Sequence, residues 1–265
     1  MSEVDAGTYS VEAYNLSHAS ENKIHDDAVA QKLGFSGGLV PGVEVYAYAC
    51  HPVVRQWGSD WLNRGQMECR FLKPLYDGRL ALVKARQDGG NLQVAVESEG
   101  VLCATATASL ADLSSAPNLE RYPVRQPPHK RPEADEISLA PGTSLGIESF
   151  VVTPDMANQY LRDVREADAI YATEGLVHPG QLLRLCNMVL KDNVALQPWI
   201  HTGSNITNFA AARVGDRLGA RGRVAANYER KGHRLVELDI VLIASDTTVI
   251  AQVLHTAVYR LRQLG

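Results

Sequence analysis

No apolar run in the chain approaches the roughly 18 residues of a membrane-spanning helix, which excludes a helical span. A basic surplus is also missing. The 26 Lys and Arg are outnumbered by 30 Asp and Glu, for a formal charge of −4, so nothing neutralises a phosphate backbone and nucleic acid is not an expected partner. Cysteine is sparse. Cys50, Cys69, Cys103 and Cys186 lie far apart and form no CxxC pair, which predicts reduced core thiols and a cytoplasmic setting. Met1-Ser2-Glu3-Val4-Asp5 is acidic with no apolar stretch behind it, so no secretory signal is expected. His51, His201 and His255 show no metal-ligand spacing. There is neither a phosphate-loop lysine nor a strand–GxGxxG–helix unit, and no cofactor or metal is expected.

What remains is an ordinary globular mixture: 265 residues, 45% hydrophobic and 21% charged, which excludes disorder, collagen and coiled coil. Residues 112–136 carry Pro117, Pro123, Pro127, Pro128 and Pro132 among many charges. They read as a linker running extended over the surface between a unit at 1–111 and a second at 137–265. The flanks look alike. Pro41-Gly42 and Pro179-Gly180 are 138 positions apart, and so are Phe71 and Phe209. Two landmarks with one offset indicate an internal duplication.

Each unit has the same order of expected elements. A strand (7–16; 143–153) leads to a helical stretch (24–33; 154–167). A glycine-rich turn follows, then a helix (43–54; 181–189) that is apolar almost all round and therefore buried. Strands close each unit at 67–71, 79–88, 92–99 and 103–110, and at 200–209, 217–230, 234–244 and 248–261. Asp88-Gly89-Gly90-Asn91 is a strong hairpin turn. The reading is α+β, a long antiparallel sheet wrapped around one helix, twice over.

This arrangement resembles the hotdog fold in double-hotdog form, a pseudo-dimer within one chain, with a homodimer of such chains as a further expectation. Ser20-Glu21-Asn22-Lys23-Ile24-His25, then Gly34-Phe35 and Pro41-Gly42, are similar to the signature of MaoC-like (R)-specific enoyl-CoA hydratases. Asn22, Ile24, His25, Gly34, Phe35 and Gly42 fit it. Ser20 stands where that family has its catalytic Asp, and Pro41 where it has the His of His-Gly. The second unit has Asp163 at the place of His25 and keeps His178 near Gly180. The resemblance implies a hydro-lyase acting on an enoyl-CoA or 3-hydroxyacyl-CoA thioester. A hotdog thioesterase drawing its carboxylate from Glu21 or Glu44, and a silent acyl-thioester binder, are the other readings.

Hydration of an enoyl thioester needs a base for water, an acid for Cα and donors for the enolate oxygen. His25 titrates near working pH and suits the proton transfers; otherwise it is a structural histidine. Asp26 and Asp27 either orient its ring or cap the following helix. Asn22 either holds water or the thioester carbonyl, or caps the helix. Glu21 can replace the missing carboxylate, or is a solvated loop residue. Ser20, Gly38, Pro41, Gly42 and Val43 are the expected substrate-binding residues, because a helix that starts at Gly42 presents unsatisfied amides and a positive dipole end to a carbonyl oxygen. Arg213, Arg217, Arg221 and Arg223 either contact the nucleotide end of coenzyme A or form a solvated, salt-bridged face.

Overall fold

The structure, a computed structural model, describes residues 4–17, 20–112 and 115–262. His18 and Ala19 of the motif segment and Leu113 and Ser114 of the linker lie outside the described residues. The first unit contributes β1 (Val4–Glu12), α1 (Asp27–Lys32), α2 (Gly42–Arg64), β2 (Gly65–Phe71), β3 (Leu80–Asp88), β4 (Asn91–Ser98) and β5 (Val101–Leu110). The second contributes β6 (Ser144–Gly146), β7 (Phe150–Val151), α3 (Pro154–Asp163), α4 (Ile170–Glu174) and α5 (Pro179–Lys191). It is completed by β8 (Ile200–Asn208), β9 (Arg217–Arg230), β10 (His233–Ala244) and β11 (Thr248–Arg260).

The strands form a single sheet in the order β1-β3-β4-β5-β2-β8-β11-β10-β9-β6, with β7 pairing β9. Counting β6 and β7 as one interrupted strand, the order is the same read inward from either edge: first, third, fourth, fifth and second strand of each unit, with β2 and β8 meeting at the centre. That junction is antiparallel, from Gln66 opposite Thr207 to Arg70 opposite Gly203. The two units thus complete each other's sheet edges, which would otherwise be open to foreign strands. The protein is a double hotdog fold, an α+β pseudo-dimer within one chain.

Strand sequences explain which face is covered. In β2, Met67 and Cys69 are buried while Gln66 and Glu68 are exposed; in β3, Ala81, Val83 and Ala85 alternate with more exposed neighbours. This period of two turns one face to the helices. Helix α2 has no such alternation. Val43, Val45, Tyr46, Ala47, Tyr48, Ala49, Cys50 and Val53 are all buried, as the sheet wraps round it, and the helix kinks at Gly58 (φ 58°, ψ −144°). Helix α5 buries Leu182, Leu183, Leu185, Cys186, Val189 and Leu190. The two helices pack on each other, closely enough at Gly180 that a Cβ there would overlap Ala47 and the Tyr160 hydroxyl. All four cysteines are buried free thiols, and no helix of the described residues is long and apolar enough to cross a membrane.

Three expectations are corrected. The strand expected over 143–153 is broken into β6 and β7, because between the pairs Gly146–Arg221 and Phe150–Leu218 it carries one residue more than β9, which interrupts the ladder. The helical stretch at 24–33 is a 3-10 turn (Lys23–His25) followed by α1, and α4 was not expected. The linker is largely exposed but not loosely so. Tyr122 is buried, its hydroxyl donating to Asp239 at 3.0 Å.

Candidate functional site

A cavity of about 440 Å³ opens where the two units meet. Leu16, Ser20, Glu21, Asn22, His25, Pro41, Val43 and Glu44 line it from the first unit, and Arg184, Asn187, Met188, Lys191, Leu196 and Trp199 from the second; Arg131 of the linker joins them.

His25 ends the 3-10 turn, and its ring is fixed at both nitrogens. Nδ1 lies 2.6 Å from the Leu39 carbonyl oxygen; a carbonyl only accepts, so Nδ1 carries the proton. Nε2 faces the Asn22 amide nitrogen at 3.3 Å. Asn22 cannot turn round, because its side chain pairs with the Trp199 backbone as one peptide pairs with another. Nδ2 donates to the Trp199 carbonyl (3.0 Å) and Oδ1 accepts from the Trp199 N–H (3.2 Å). An amide N–H therefore points at Nε2, which must accept. The ring is the neutral Nδ1–H tautomer with a basic Nε2. Asn22 also caps the turn through Ile24 N–H (3.5 Å), the capping reading of this residue, and its Nδ2 is engaged with His25 and Trp199 rather than turned towards a water or thioester carbonyl.

The two aspartates after His25 serve the backbone. Asp26 caps α1, accepting from Val29 N–H at 3.0 Å, and Asp27 accepts from Gly38 N–H at 2.6 Å. The Leu39 carbonyl, not an aspartate, orients the ring. Ser20 Oγ donates to the Asn22 carbonyl (3.2 Å). Glu21 sits on the rim with its side chain 78% exposed and ion-paired to Arg131 Nη1 at 2.8 Å; that hydrogen bond holds its carboxyl below the usual range. This is a poor setting for a base. Gly38 and Gly42 do not line the cavity. Gly38 instead passes so close to the His25 carbonyl that a Cβ would overlap its oxygen.

Helix α2 begins at Gly42 with Pro41 as N-cap and no side-chain cap. Among the described residues, no hydrogen bond uses the Gly42 or Val43 N–H, leaving both donors unused with the positive end of the helix dipole behind them; of the two residues, Val43 lines the cavity. Glu44, one residue on, is 1% exposed and pairs with Arg184 Nε at 2.6 Å. Burial raises its pKa, opposed by Arg184.

Behind the same helix end, Ser204 Oγ bridges His201 Nε2 (2.8 Å) and His255 Nδ1 (3.0 Å). A Cβ on Gly42 would stand 3.0 Å from His201 Nδ1. Burial drives both imidazoles neutral: the pKa of His255 falls to about 3 and that of His201 well below its ordinary value. Unfolded, each takes up its proton near pH 6.5. Their stabilisation is therefore complete above about pH 6.5 and is lost as pH falls towards 3, at about 1.4 kcal/mol per pH unit for each group. Denaturant unfolding between pH 7 and 4.5 is expected to show that slope, and His255→Asn to flatten it. An equally steep profile in the variant would remove this histidine as its source.

The second unit's counterpart is closed. His178 caps α5, its Nδ1 accepting from Gly180 N–H at 3.0 Å, so that amide is not available as Gly42's is. The Tyr160 hydroxyl fills the space beside Gly180. His178 Nε2 faces Glu166 at 3.7 Å, and Glu166 also takes His51 Nδ1 at 2.9 Å. Burial alone would raise Glu166, but these two histidines and the Asp168 N–H hold it low. Asp163 accepts from Gln159 on α3. The arginine cluster belongs to the sheet's surroundings. Arg223 pairs with Asp239 on the neighbouring strand (2.9 Å), and Arg213 and Arg221 donate to the Glu174 and Asp246 carbonyls. None of the four lines the cavity, whose cations are Arg131, Arg184 and Lys191.

The cavity residues missed from sequence come mostly from the second unit. Glu44 is the carboxylate that the thioesterase reading names, whereas Arg184, Asn187 and Lys191 recur at helical spacing on an otherwise apolar helix. Polar positions of that kind were the available signal.

No family model and no curated protein sequence matches the chain. Solved structures do. One from Chloroflexus aurantiacus J-10-fl, assigned as a MaoC domain protein dehydratase, has 11% identity and a TM-score of 0.64, covering 99% of this chain and 95% of that one. A conserved protein of Mycobacterium tuberculosis described as a double hotdog fold has 14% identity and a TM-score of 0.62, covering 97% and 95%. A protein from Novosphingobium aromaticivorans DSM 12444 assigned as a thioesterase has 12% identity and a TM-score of 0.53, covering 97% of each chain. At these identities the likeness is one of fold, and the fold it establishes is the double hotdog.

Proposed function

We propose that the protein is a hydro-lyase that adds water to, or removes it from, the acyl group of a coenzyme A-type thioester. The observation that carries this reading is the pairing, at one cavity, of a histidine locked as the neutral Nδ1–H tautomer with a helix N-terminus whose first two amides are unused. The thioester carbonyl oxygen fits the Val43 amide at that helix start, which stabilises the enolate formed on the way across the double bond. His25 Nε2, whose one lone pair exchanges the 3.3 Å contact with Asn22 Nδ2 for the substrate water, takes the proton of water in hydration and returns it to the leaving hydroxyl in dehydration. Asn22 is a positioning residue, holding the ring square to Trp199 of the other unit. Met188, Leu196 and Val43 supply an apolar wall for the acyl chain, and Arg131 and Lys191 a cationic mouth suited to the carrier's phosphates. Four buried free thiols fit a reducing compartment such as the cytoplasm.

The fold is shared with proteins assigned as thioesterases, so fold alone does not choose between the chemistries. Purified protein incubated with short, branched and aromatic enoyl-CoAs, read in the same samples for loss of the enoyl group and for free thiol, separates them. Water addition without thiol release is expected. Thiol release as the main reaction would make the protein a hydrolase, and no reaction with any thioester would leave a binder.

A further inference from the structure

Water addition to an enoyl thioester moves two protons, one from water and one to Cα. His25 accounts for the first, and a donor for the second must stand at the same cavity. Three carboxyl groups do: Glu21, Glu44 and Asp192. Glu21 is exposed and bound to Arg131. Asp192, at the end of α5, is bound to Lys191. Glu44 differs from both. It stands on the first turn of α2 beside Pro41 and Val43, and its side chain is 1% exposed. Arg184, reaching across from α5, places both Nε and Nη2 on the single oxygen Oε1. Oε2 is buried with no hydrogen-bond partner among the described residues. A buried carboxylate oxygen with no donor is costly, whereas a protonated Oε2–H beside a cavity has a task to perform.

On the hydro-lyase reading, we infer that Glu44 is the second catalytic residue, the acid that delivers the proton to Cα, with Arg184 of the other unit as its positioning residue. In hydration, His25 Nε2 removes a proton from water as the water oxygen bonds to Cβ. The double-bond electrons move through Cα onto the thioester oxygen, held by the Val43 amide at the start of α2. As the enolate collapses, Cα takes the proton of Glu44 Oε2. His25 is left as imidazolium and Glu44 as carboxylate, and solvent carries one proton from the first to the second. Dehydration is the reverse. Arg184 meets the carboxylate at the moment it forms, so a charge appears in a buried place already prepared for it. Burial favours the protonated form beforehand. The other titratable or charged groups acting on Glu44 are Asp163 and Tyr160 of α3 and Tyr48 of its own helix.

Glu44→Gln tests this, because glutamine keeps the shape of a protonated carboxyl and its acceptor for Arg184 but has no proton of comparable acidity. The expected result is a kcat lower by about 10²-fold, with KM changed by less than about threefold and an unchanged circular dichroism spectrum. A folded Glu44→Gln protein with kcat within about fivefold of the parent overturns the assignment. Arg184→Met is the second arm. Without the cation, Glu44 holds its proton to higher pH, so the alkaline limb of the kcat/KM profile moves up; an unmoved limb overturns the assignment even if Glu44→Gln fails to fold. Parent protein that hydrates no enoyl thioester sinks the hydro-lyase reading itself, and with it this one. Active parent and active Glu44→Gln protein sink only the role of Glu44.

Discussion

His25→Ala is expected to lower kcat for enoyl-thioester hydration by about 10²-fold or more, the usual measure of a lost general acid–base group, while KM changes little. The separation follows from where the contacts lie. His25 is held by the Leu39 carbonyl and the Asn22 amide, so the ring is fixed by the protein and contributes mainly to proton transfer. Affinity comes from the cavity wall and from the cations at the mouth. Asn22→Ala is expected to cost less, because Nδ1 remains bound to Leu39, but it removes both bonds to Trp199 and lets the ring tilt. Steady-state kinetics of both variants on the best substrate of the enoyl-CoA panel, with circular dichroism as a control, measures the order. A His25→Ala protein with full activity would end the hydro-lyase assignment and leave only the fold.

Much of the fold was legible because it is stated twice. Pro41-Gly42 and Pro179-Gly180 open the two central helices, and the 138-residue offset between them is carried into a sheet whose strand order is the same from both edges. The apolar runs after those pairs predict buried helices, and both are largely buried, although α5 turns Arg184, Asn187 and Lys191 to the cavity. What the sequence hid was set by contacts far along the chain. The break between β6 and β7 depends on the register against β9, about 70 residues further on, where this strand carries one residue too many, and no local pattern encodes that register.

The site divides in the same way. His25, Asn22, Pro41 and Val43 stand within one short stretch and were legible as a motif; Trp199 lies 177 positions from Asn22 and reaches it only because the units share a sheet. Asp26 and Asp27 were ambiguous because a cap and a ring-orienting carboxylate look identical in sequence; only the bonds to Val29 and Gly38 decide. Glu21 was attractive for its place next to Ser20, but the chain turns it outward to Arg131. The carboxyl group that remains at the cavity wall, Glu44, was legible only as the carboxylate of a thioesterase; its pairing with Arg184, 140 positions along the chain, was not.

Gly38→Ala is expected to do more damage than its single methyl suggests. The added Cβ would overlap the carbonyl oxygen of His25, a backbone atom that cannot swing aside as a side chain can. Either the 3-10 turn carrying His25 or the segment 36–40 must move. Both are pinned: Asn15 Nδ2 donates to the same His25 carbonyl at 2.9 Å, and Val40 N–H donates to the Leu75 carbonyl at 2.8 Å. Movement on either side also stretches the 2.6 Å contact between His25 Nδ1 and the Leu39 carbonyl, which fixes the tautomer. Overpacking of this kind costs about 1–3 kcal/mol of stability, and a displacement near 1 Å of a catalytic group costs about 10²-fold in rate. Gly37→Ala is the matched control. Its Cβ would meet only Asp27 Oδ1, at 3.2 Å, the end of a side chain able to yield. Denaturant unfolding and kcat measured on both variants should show Gly38→Ala losing activity and stability together while Gly37→Ala keeps most of each. Equal behaviour of the two would mean that the approach of Gly38 to His25 does not position the histidine.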